Sequence, residues 1–281
     1  MKALIITLLL LAGLGISSCE QTTDAQFSPQ IVIEGYLYAN EPLDSIVVRR
    51  TIEITQGDSI AYVEGAIVTL SSPDKDYSLV ERANAPGRYH PQEEFIALPG
   101  VTYKLRVEAM GQVATSETTI PEPIRLDSAK VGDKSLSVTS IDTVDYPSSR
   151  DELSKPGVRL WWTRSATAKG YALEAVTFDT TAEIIDLSPD DANLPDSTAM
   201  GRYRFFILSQ SEQLAWRQFR RYGENTVRAL ALDRNLQDFA LGLYLTRSQF
   251  DNNTLHVNGG LGVFGSASRG SMRVYIRKTI Q

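Results

Sequence analysis

The feature that most constrains the fold is a strict two-residue alternation between Val101 and Ala109. Apolar side chains occupy every second position, and polar ones fill the positions between them, namely Thr102, Lys104, Arg106 and Glu108. Successive side chains of a β-strand point to opposite faces of the sheet, so this pattern predicts a strand with one buried face. A chain built on such strands must form at least one sheet that covers an apolar core.

Similar β-rich runs, bounded by Gly, Pro, Ser and Asp, recur along the chain. They cover 31–38, 46–54, 66–70, 158–163, 171–178, 202–208, 226–232 and 271–277, with a further short strand expected within 135–142. Ala85-Pro86-Gly87 and Pro99-Gly100 have the composition of tight turns between strands. Apolar spacing at i, i+4 and i+7 predicts one short helix over 211–222, and a second is expected over 235–244. The expected fold class is mostly β, with two tandem β-sandwiches.

Pro121-Glu122-Pro123 marks the expected boundary between these sandwiches, because proline interrupts a strand ladder and stiffens a linker. The predicted organisation is a signal peptide over 1–18, a tether over 19–30, an N-terminal sandwich over 31–120 and a C-terminal sandwich with helical inserts over 121–281. Segments 64–70 and 98–103 resemble prealbumin-like modules of the carboxypeptidase-regulatory type. Leu160-x-Trp162 followed by Gly170-Tyr171-x-Leu173 resembles a fibronectin type III domain.

The charge balance bears on the class of partner. Lys and Arg total 28 against 34 Asp and Glu, which gives a net charge of −6. Nucleic-acid binding needs clustered cations, so no nucleic-acid partner is expected. The chain has a single cysteine, Cys19, so neither a disulfide nor a thiolate metal site is expected in the mature protein.

The first nineteen residues have the layout of a secretory signal. Met1 and Lys2 precede an apolar run over 3–16, which is followed by Ser17, Ser18 and Cys19. This run is shorter than the ~20 apolar residues of a membrane-spanning helix. The sequence over 16–19 resembles the lipobox of bacterial lipoproteins, which implies cleavage before Cys19 and its acylation, with palmitate among the expected chains. The alternative is an ordinary signal peptide cut nearby.

The lipobox is one of four features, in this order along the chain, that together resemble a single family. The others are the segments 32–36, 227–238 and 259–266, the last reading Gly-Gly-Leu-Gly-Val-Phe-Gly-Ser. The family is that of Bacteroidota-type lipoproteins with domain of unknown function 4249. The resemblance implies an outer-membrane lipoprotein encoded near TonB-dependent transporters, without established catalytic residues.

Several motifs suggest chemistry by their letters alone. Residues 260–265 match G-x-G-x-x-G, but too little chain follows for a βαβ unit, so a glycine-rich loop over 258–268 is expected rather than nucleotide binding. Ser72-x-x-Lys75 contains Pro73, and neither His90 nor His256 has a ligand or triad spacing. The aspartates 186, 190, 191 and 196 lack a calcium-loop spacing. We therefore expect no enzyme activity, no cofactor and no metal.

Two sets of residues are candidates for contact with a partner or ligand. Trp161 should point away from the core that Trp162 enters, where it either packs under another segment or offers a stacking platform. Leu261, Val263 and Phe264 either cap the second sandwich internally or form an apolar docking surface.

The expected function follows from the anchor and the family resemblance. It is a lipid-anchored accessory protein at the outer membrane, attached through Cys19 and associated with a TonB-dependent transporter. The first alternative is a lipoprotein that captures a glycan or peptide itself, which exposed clustered aromatic residues would favour. The second is a structural or adhesion module of the cell surface.

Overall fold

The computed structural model describes residues 27–53, 60–153, 155–185, 204–206, 211–246 and 256–279. Within these ranges, no helix combines the length and hydropathy needed to cross a membrane. Cys19, the tether up to residue 26 and the four aspartates between 186 and 196 lie outside the described residues.

Strands dominate the described regular structure, which confirms the predicted mostly β fold. They are β1 Ile31–Tyr38, β2 Ile46–Arg50, β3 Ile67–Ser71, β4 Asp76–Glu81, β5 Arg88–Pro91, β6 Thr102–Ala109, β7 Gln112–Thr119, β8 Leu126–Val131, β9 Lys134–Leu136, β10 Asp142–Asp145, β11 Val158–Trp162, β12 Gly170–Val176, β13 Arg204–Phe206, β14 Ser211–Leu214, β15 Gly223–Leu232 and β16 Leu261–Arg277. The helices are α1 Arg150–Leu153, a 3-10 turn at Trp216–Gln218 and α2 Arg234–Thr246.

The alternating pattern of β6 is confirmed in detail. Tyr103, Leu105 and Val107 are buried, whereas Lys104 and Arg106 on the opposite face are exposed. The two predicted turns are also confirmed, since Gly87 and Gly100 adopt φ values of 69° and 73° that favour glycine.

The strands form two sheets. The larger sheet has the order β13-β12-β15-β16-β1-β2-β5-β4-β3-β6-β7, and β10 also pairs with β16. The smaller sheet has the order β14-β11-β8-β9. The described residues therefore form a large multi-strand sheet and a second small one, as in a β-sandwich, while the more specific prealbumin and fibronectin resemblances stay predictions.

Two large apolar cores lie along this framework, together with a small third cluster of Ala172, Leu230, Leu232 and Ala267. The N-terminal core gathers side chains from β1 to β7, including Ile33, Tyr89 and Leu105, and adds Val257 and Phe264 from far along the chain. The C-terminal core runs from residue 124 to residue 276 and is built around the large side chains Trp162, Tyr171, Trp216 and Phe219.

Strand β16 passes through both cores. Its first part pairs in parallel with β1, from Val32–Leu261 to Tyr38–Ala267. Its second part pairs antiparallel with β15, up to Gly223–Ile276. On one face it carries Phe264 into the N-terminal core and Met272, Val274 and Ile276 into the C-terminal core.

Small residues fill that face of β16 between the two cores. The hydroxyls of Ser266 and Ser268 donate to the backbone carbonyls of Thr119 and Pro121, respectively. A Cβ atom at Gly270 would lie 3.2 Å from the backbone nitrogen of Leu126. The segment that links the two cores therefore crosses β16 in direct contact with its backbone.

The glycine-rich loop predicted over 258–268 is wrong, because β16 begins at Leu261. Its glycines serve close packing rather than a turn. A Cβ atom at Gly262, whose φ is 101°, would lie 1.9 Å from the carbonyl oxygen of Ile33. At Gly265, a Cβ atom would lie 2.9 Å from the Cβ of Leu236 in α2. Glycine thus lets β1 and α2 approach β16 closely.

The two predicted helical inserts have different outcomes. The helix expected over 235–244 is confirmed as α2. The helix expected over 211–222 is wrong, because Ser211–Leu214 pairs with β11 and only a 3-10 turn follows. Strand pairing outweighs the local helical periodicity here. The strand expected within 135–142 is replaced by β9 and β10, which lie at the two ends of that segment.

The structure leaves the predicted domain boundary at Pro121-Glu122-Pro123 as a prediction about independent folding. The structure does show which contacts between strands would be lost if the chain were divided there. A cut at 120 removes the β16 residues that pair with β1 and contribute Phe264 to the N-terminal core.

Candidate functional site

The residues proposed as partner contacts lie in different surroundings. Val263 and Phe264 are buried, Phe264 completely, and Leu261 is half-buried. Phe264 therefore occupies an internal position, although in the N-terminal core rather than at the end of the second sandwich. Trp161 lies on the smaller sheet, half-buried, while its neighbour Trp162 is in the C-terminal core as predicted. The structure does not bring Trp161 and Phe264 together in one core.

A polar cleft of about 1030 Å³ lies where the N-terminal region, which holds the N-terminal core, meets the C-terminal region, which holds the other core. One wall is the outer face of β6 and β7. The other is formed by the β11–β12 connection at residues 166–169 and by the start of α2. Residues 256 and 258 also line the cleft.

The β6–β7 wall carries two cations. Lys104 and Arg106 are two residues apart on the exposed face of β6, and they lie opposite Glu117 and Thr115 of β7. Arg106 Nε lies 3.1 Å from a carboxylate oxygen of Glu108, and both side chains are about half exposed. Such an exposed pair contributes little to stability, so Arg106 can exchange this partner for another anion.

The opposite wall carries two more cations. Lys169 is fixed by its backbone, whose N–H donates to the carbonyl of Leu232 at 2.9 Å. Arg234 is the first residue of α2, and its Nε lies 3.4 Å from Asp238 with the arginine side chain 75% exposed. Within the described part of the chain, the amino groups of Lys104 and Lys169 form no ion pair.

A buried polar network holds the two walls together. Asp233 caps α2, since its Oδ1 accepts from the Leu236 N–H at 2.9 Å. Thr118 Oγ1 lies 2.6 Å from the other carboxylate oxygen of Asp233 and 2.7 Å from Ser266 Oγ. Asn235 donates from Nδ2 to the carbonyls of Glu117 and Phe264, at 2.6 and 2.8 Å. These bonds tie β7, α2 and β16 to one another.

Burial raises the pKa of Asp233 above its usual value, although hydrogen bonds from Thr118 and from backbone N–H groups act in the opposite direction. Desolvation penalises the charged form of a carboxyl group, which is why burial has this sign.

The cleft contains His256, but its surroundings do not resemble a catalytic triad. His256 Nε2 lies 2.8 Å from Asp238, and Ser116 Oγ donates to the backbone carbonyl of His256 rather than to its ring. A triad needs a nucleophile hydrogen-bonded to the imidazole. The expectation that the protein is not an enzyme stays a prediction.

The other motifs take positions that explain them structurally. Ser72 Oγ accepts from the Lys75 N–H at 3.1 Å in a turn, while Lys75 Nζ pairs with Glu93. The G-x-G-x-x-G motif forms the start of β16, with no helix directly after it. Among the described residues, no group of three or more His, Cys, Asp or Glu side chains is placed to hold a metal ion.

A smaller cavity of about 460 Å³ adjoins the cleft, and Asn258 lines both. Ser28 and Gln30, just before β1, line this cavity together with Leu261. Gln112 Nε2 donates to the carbonyl of Pro29 at 2.8 Å, which holds the segment just before β1 beside the smaller cavity.

The sequence did not reveal the cleft. Lys104 and Arg106 were visible only as the polar face of a strand, and Lys169 and Arg234 had no distinguishing pattern. The one usable signal was the alternation of β6, which placed Lys104 and Arg106 on the same face. Lys169 and Arg234 join them in one cleft through tertiary contacts, among them the bonds that tie β7 to α2 and β16.

Comparison with known proteins identifies one family. The family model for the domain of unknown function DUF4249 matches residues 16–273, which include every strand that lines the cleft. No curated protein matches the chain. The matched range covers most of the chain and confirms the DUF4249 part of the resemblance, whereas the Bacteroidota lipoprotein type stays a prediction. The chain belongs to the DUF4249 family.

Proposed function

We propose that this protein is a lipid-anchored accessory protein at the outer membrane, held there by acylated Cys19 and associated with a TonB-dependent transporter. The lipobox at 16–19 supports the anchor. The association with a transporter comes from the family resemblance noted in the sequence.

The observation that carries the proposal is the position of the cleft relative to the tether. Gln30 lies eleven positions after Cys19, and an extended chain spans at most ~3.6 Å per residue. Gln30 lines the smaller cavity that shares Asn258 with the cleft. A membrane anchor at Cys19 would therefore hold Gln30, and the smaller cavity that it lines, within about 40 Å of the bilayer surface, where a membrane-embedded partner can be reached.

A pulldown from native membranes in a gentle detergent tests this function. The wild-type protein should carry lipid label and co-purify a transporter barrel, whereas Cys19→Ala should lose the label and membrane retention. Ser18→Ala is the matched control, because alanine is also a small residue at the cleavage site. Unchanged lipid labelling in Cys19→Ala would reject the anchor, and a labelled protein without any barrel would reject the accessory role.

The cleft favours a second function, in which the lipoprotein captures its own ligand. It is polar, and each of its walls contributes two cations. The residues that line it include no Trp, Tyr or Phe, so the described cleft lacks the stacking surface expected for a glycan. A structural or adhesion module would be the conclusion if neither a transporter nor a ligand binds.

A further inference from the structure

Cations predominate among the residues that line the cleft, although the whole chain has a net charge of −6. The lining holds Lys104, Arg106, Lys169 and Arg234 against Glu117 and Asp233. Arg106 and Arg234 each pair with a carboxylate outside this lining, so the positive charge left without an ion pair among the described residues is that of Lys104 and Lys169, one on each wall. A concave surface lined by an excess of one sign concentrates its field and attracts the opposite charge. The local excess is therefore suited to an anionic ligand.

We propose that the cleft binds an acidic peptide segment, with carboxylates that reach cations on both walls. This inference rests on the second proposed function, capture of a ligand. Lys104 and Arg106 stand on β6, whereas Lys169 and Arg234 stand on the opposite wall. Cations divided in this way match a ligand whose carboxylates are spread along a chain better than they match one compact anion.

The other lining residues fit a peptide backbone. Ser71, Thr115, Thr119 and Thr167 supply hydroxyl groups, and Asn258 supplies a side-chain amide. Hydroxyl and amide groups both donate and accept hydrogen bonds, as the alternating N–H and C=O groups of a peptide require. The volume, about 1030 Å³, lies at the upper end of the range for small-molecule sites and accommodates several residues.

The position of the cleft also allows a ligand to connect the two regions. Its walls belong to separate apolar cores, joined at this place by the network around Asp233. A ligand that contacts both walls adds contacts between the regions that the free protein lacks, and it should raise the melting temperature of the whole molecule.

Titration calorimetry on the full chain, kept in a non-ionic detergent, tests the inference. The probes are hexaglutamate, hexaglutamine of the same length, and citrate. Hexaglutamate should bind, hexaglutamine should bind at least about tenfold more weakly, and binding should weaken as salt screens the charges. Citrate should bind more weakly than hexaglutamate at equal carboxylate concentration.

The variant Lys104→Gln/Lys169→Gln removes one cation from each wall and should weaken hexaglutamate binding about tenfold. Lys130→Gln/Lys155→Gln makes the same charge change outside the cleft and should retain binding. All four lysines are exposed, so neither variant should change the melting temperature of the protein. Measuring that temperature verifies that both variants fold.

Each contrary result has a definite meaning. Equal binding of the two peptides, equal loss in both variants, or no binding of hexaglutamate overturns the inference. Citrate binding as tight as that of hexaglutamate would replace the peptide with a compact anion. None of these results depends on lipidation or on a transporter, so this inference and the accessory role can fail separately.

Discussion

The N-terminal and C-terminal cores differ in where along the chain their side chains originate. All buried members of the C-terminal core lie between residues 124 and 276. The N-terminal core takes most of its members from 31–120 but adds Val257 and Phe264 from more than a hundred residues away. The dependence is therefore one-sided, since none of the described residues of 31–120 belongs to the C-terminal core.

This difference changes what a domain boundary at 120 means. Strand β1 is central in the larger sheet, with β2 on one side and β16 on the other. Without β16, one edge of β1 would present unpaired backbone groups, and the core would lose Phe264. A boundary in sequence need not be a boundary in folding when one strand is shared.

The largest expected effect is on isolated fragments. Fragment 124–281 contains the whole C-terminal core and should show β-rich circular dichroism and a cooperative thermal transition. Fragment 20–120 lacks the β16 pairing and should not unfold cooperatively. A cooperative transition in fragment 20–120 would show that the N-terminal core folds without β16. It would contradict the one-sided dependence between the two cores.

Phe264→Ala should have the next largest effect. Truncating a fully buried phenylalanine leaves a cavity, so the free energy of unfolding should fall by about 3–5 kcal/mol. Denaturant unfolding of the full chain measures it, with Leu261→Ala as a smaller, half-buried control on the same strand. Normal stability together with lost co-purification of a transporter would instead support a docking role for Phe264.

A smaller effect is expected where the linking segment crosses β16. Ser268→Ala removes the hydroxyl that donates to the Pro121 carbonyl and leaves that buried acceptor without its partner. The expected loss is about 1–3 kcal/mol in the free energy of unfolding. Ser135→Ala, at an exposed position in β9, is the control. Equal stability of the two variants would show that this crossing is not what joins the cores.

The smallest expected effect concerns pH. An unfolded aspartate has a pKa of about 3.9, and burial raises the pKa of Asp233 in the folded protein. Folded Asp233 therefore binds its proton more tightly, and its contribution to stability is present below pH ~4 and falls as pH rises through the raised pKa.

The variant Asp233→Asn cannot ionise, so its stability should fall less than that of the wild type between pH 4 and pH 7. Unfolding in denaturant at several pH values measures the difference, and Asp133→Asn at an exposed turn should behave like the wild type. Parallel pH curves for Asp233→Asn and the wild type would show that this carboxyl group does not make the junction of the two cores sensitive to pH.

Local patterns in the sequence were sufficient for several elements. The alternation in β6, the turn glycines Gly87 and Gly100, and helix α2 could all be predicted. Each depends on interactions between residues close in sequence, which is why side-chain spacing and glycine conformation reveal it. The order of the motifs also identified the family, which the match over 16–273 confirmed.

The tertiary structure decided what depends on distant partners. Ser211–Leu214 has helical spacing nearby but becomes a strand because β11 offers it hydrogen-bonding groups. Gly262 and Gly265 suggested a loop but lie in β16, where β1 and α2 pack against their bare backbone. The cleft forms where β7, α2 and β16 are tied together, so that Lys104 and Lys169, far apart in sequence, line one cavity. Sequence periodicity records which face of an element is buried, whereas the partner that buries it is chosen by the whole fold.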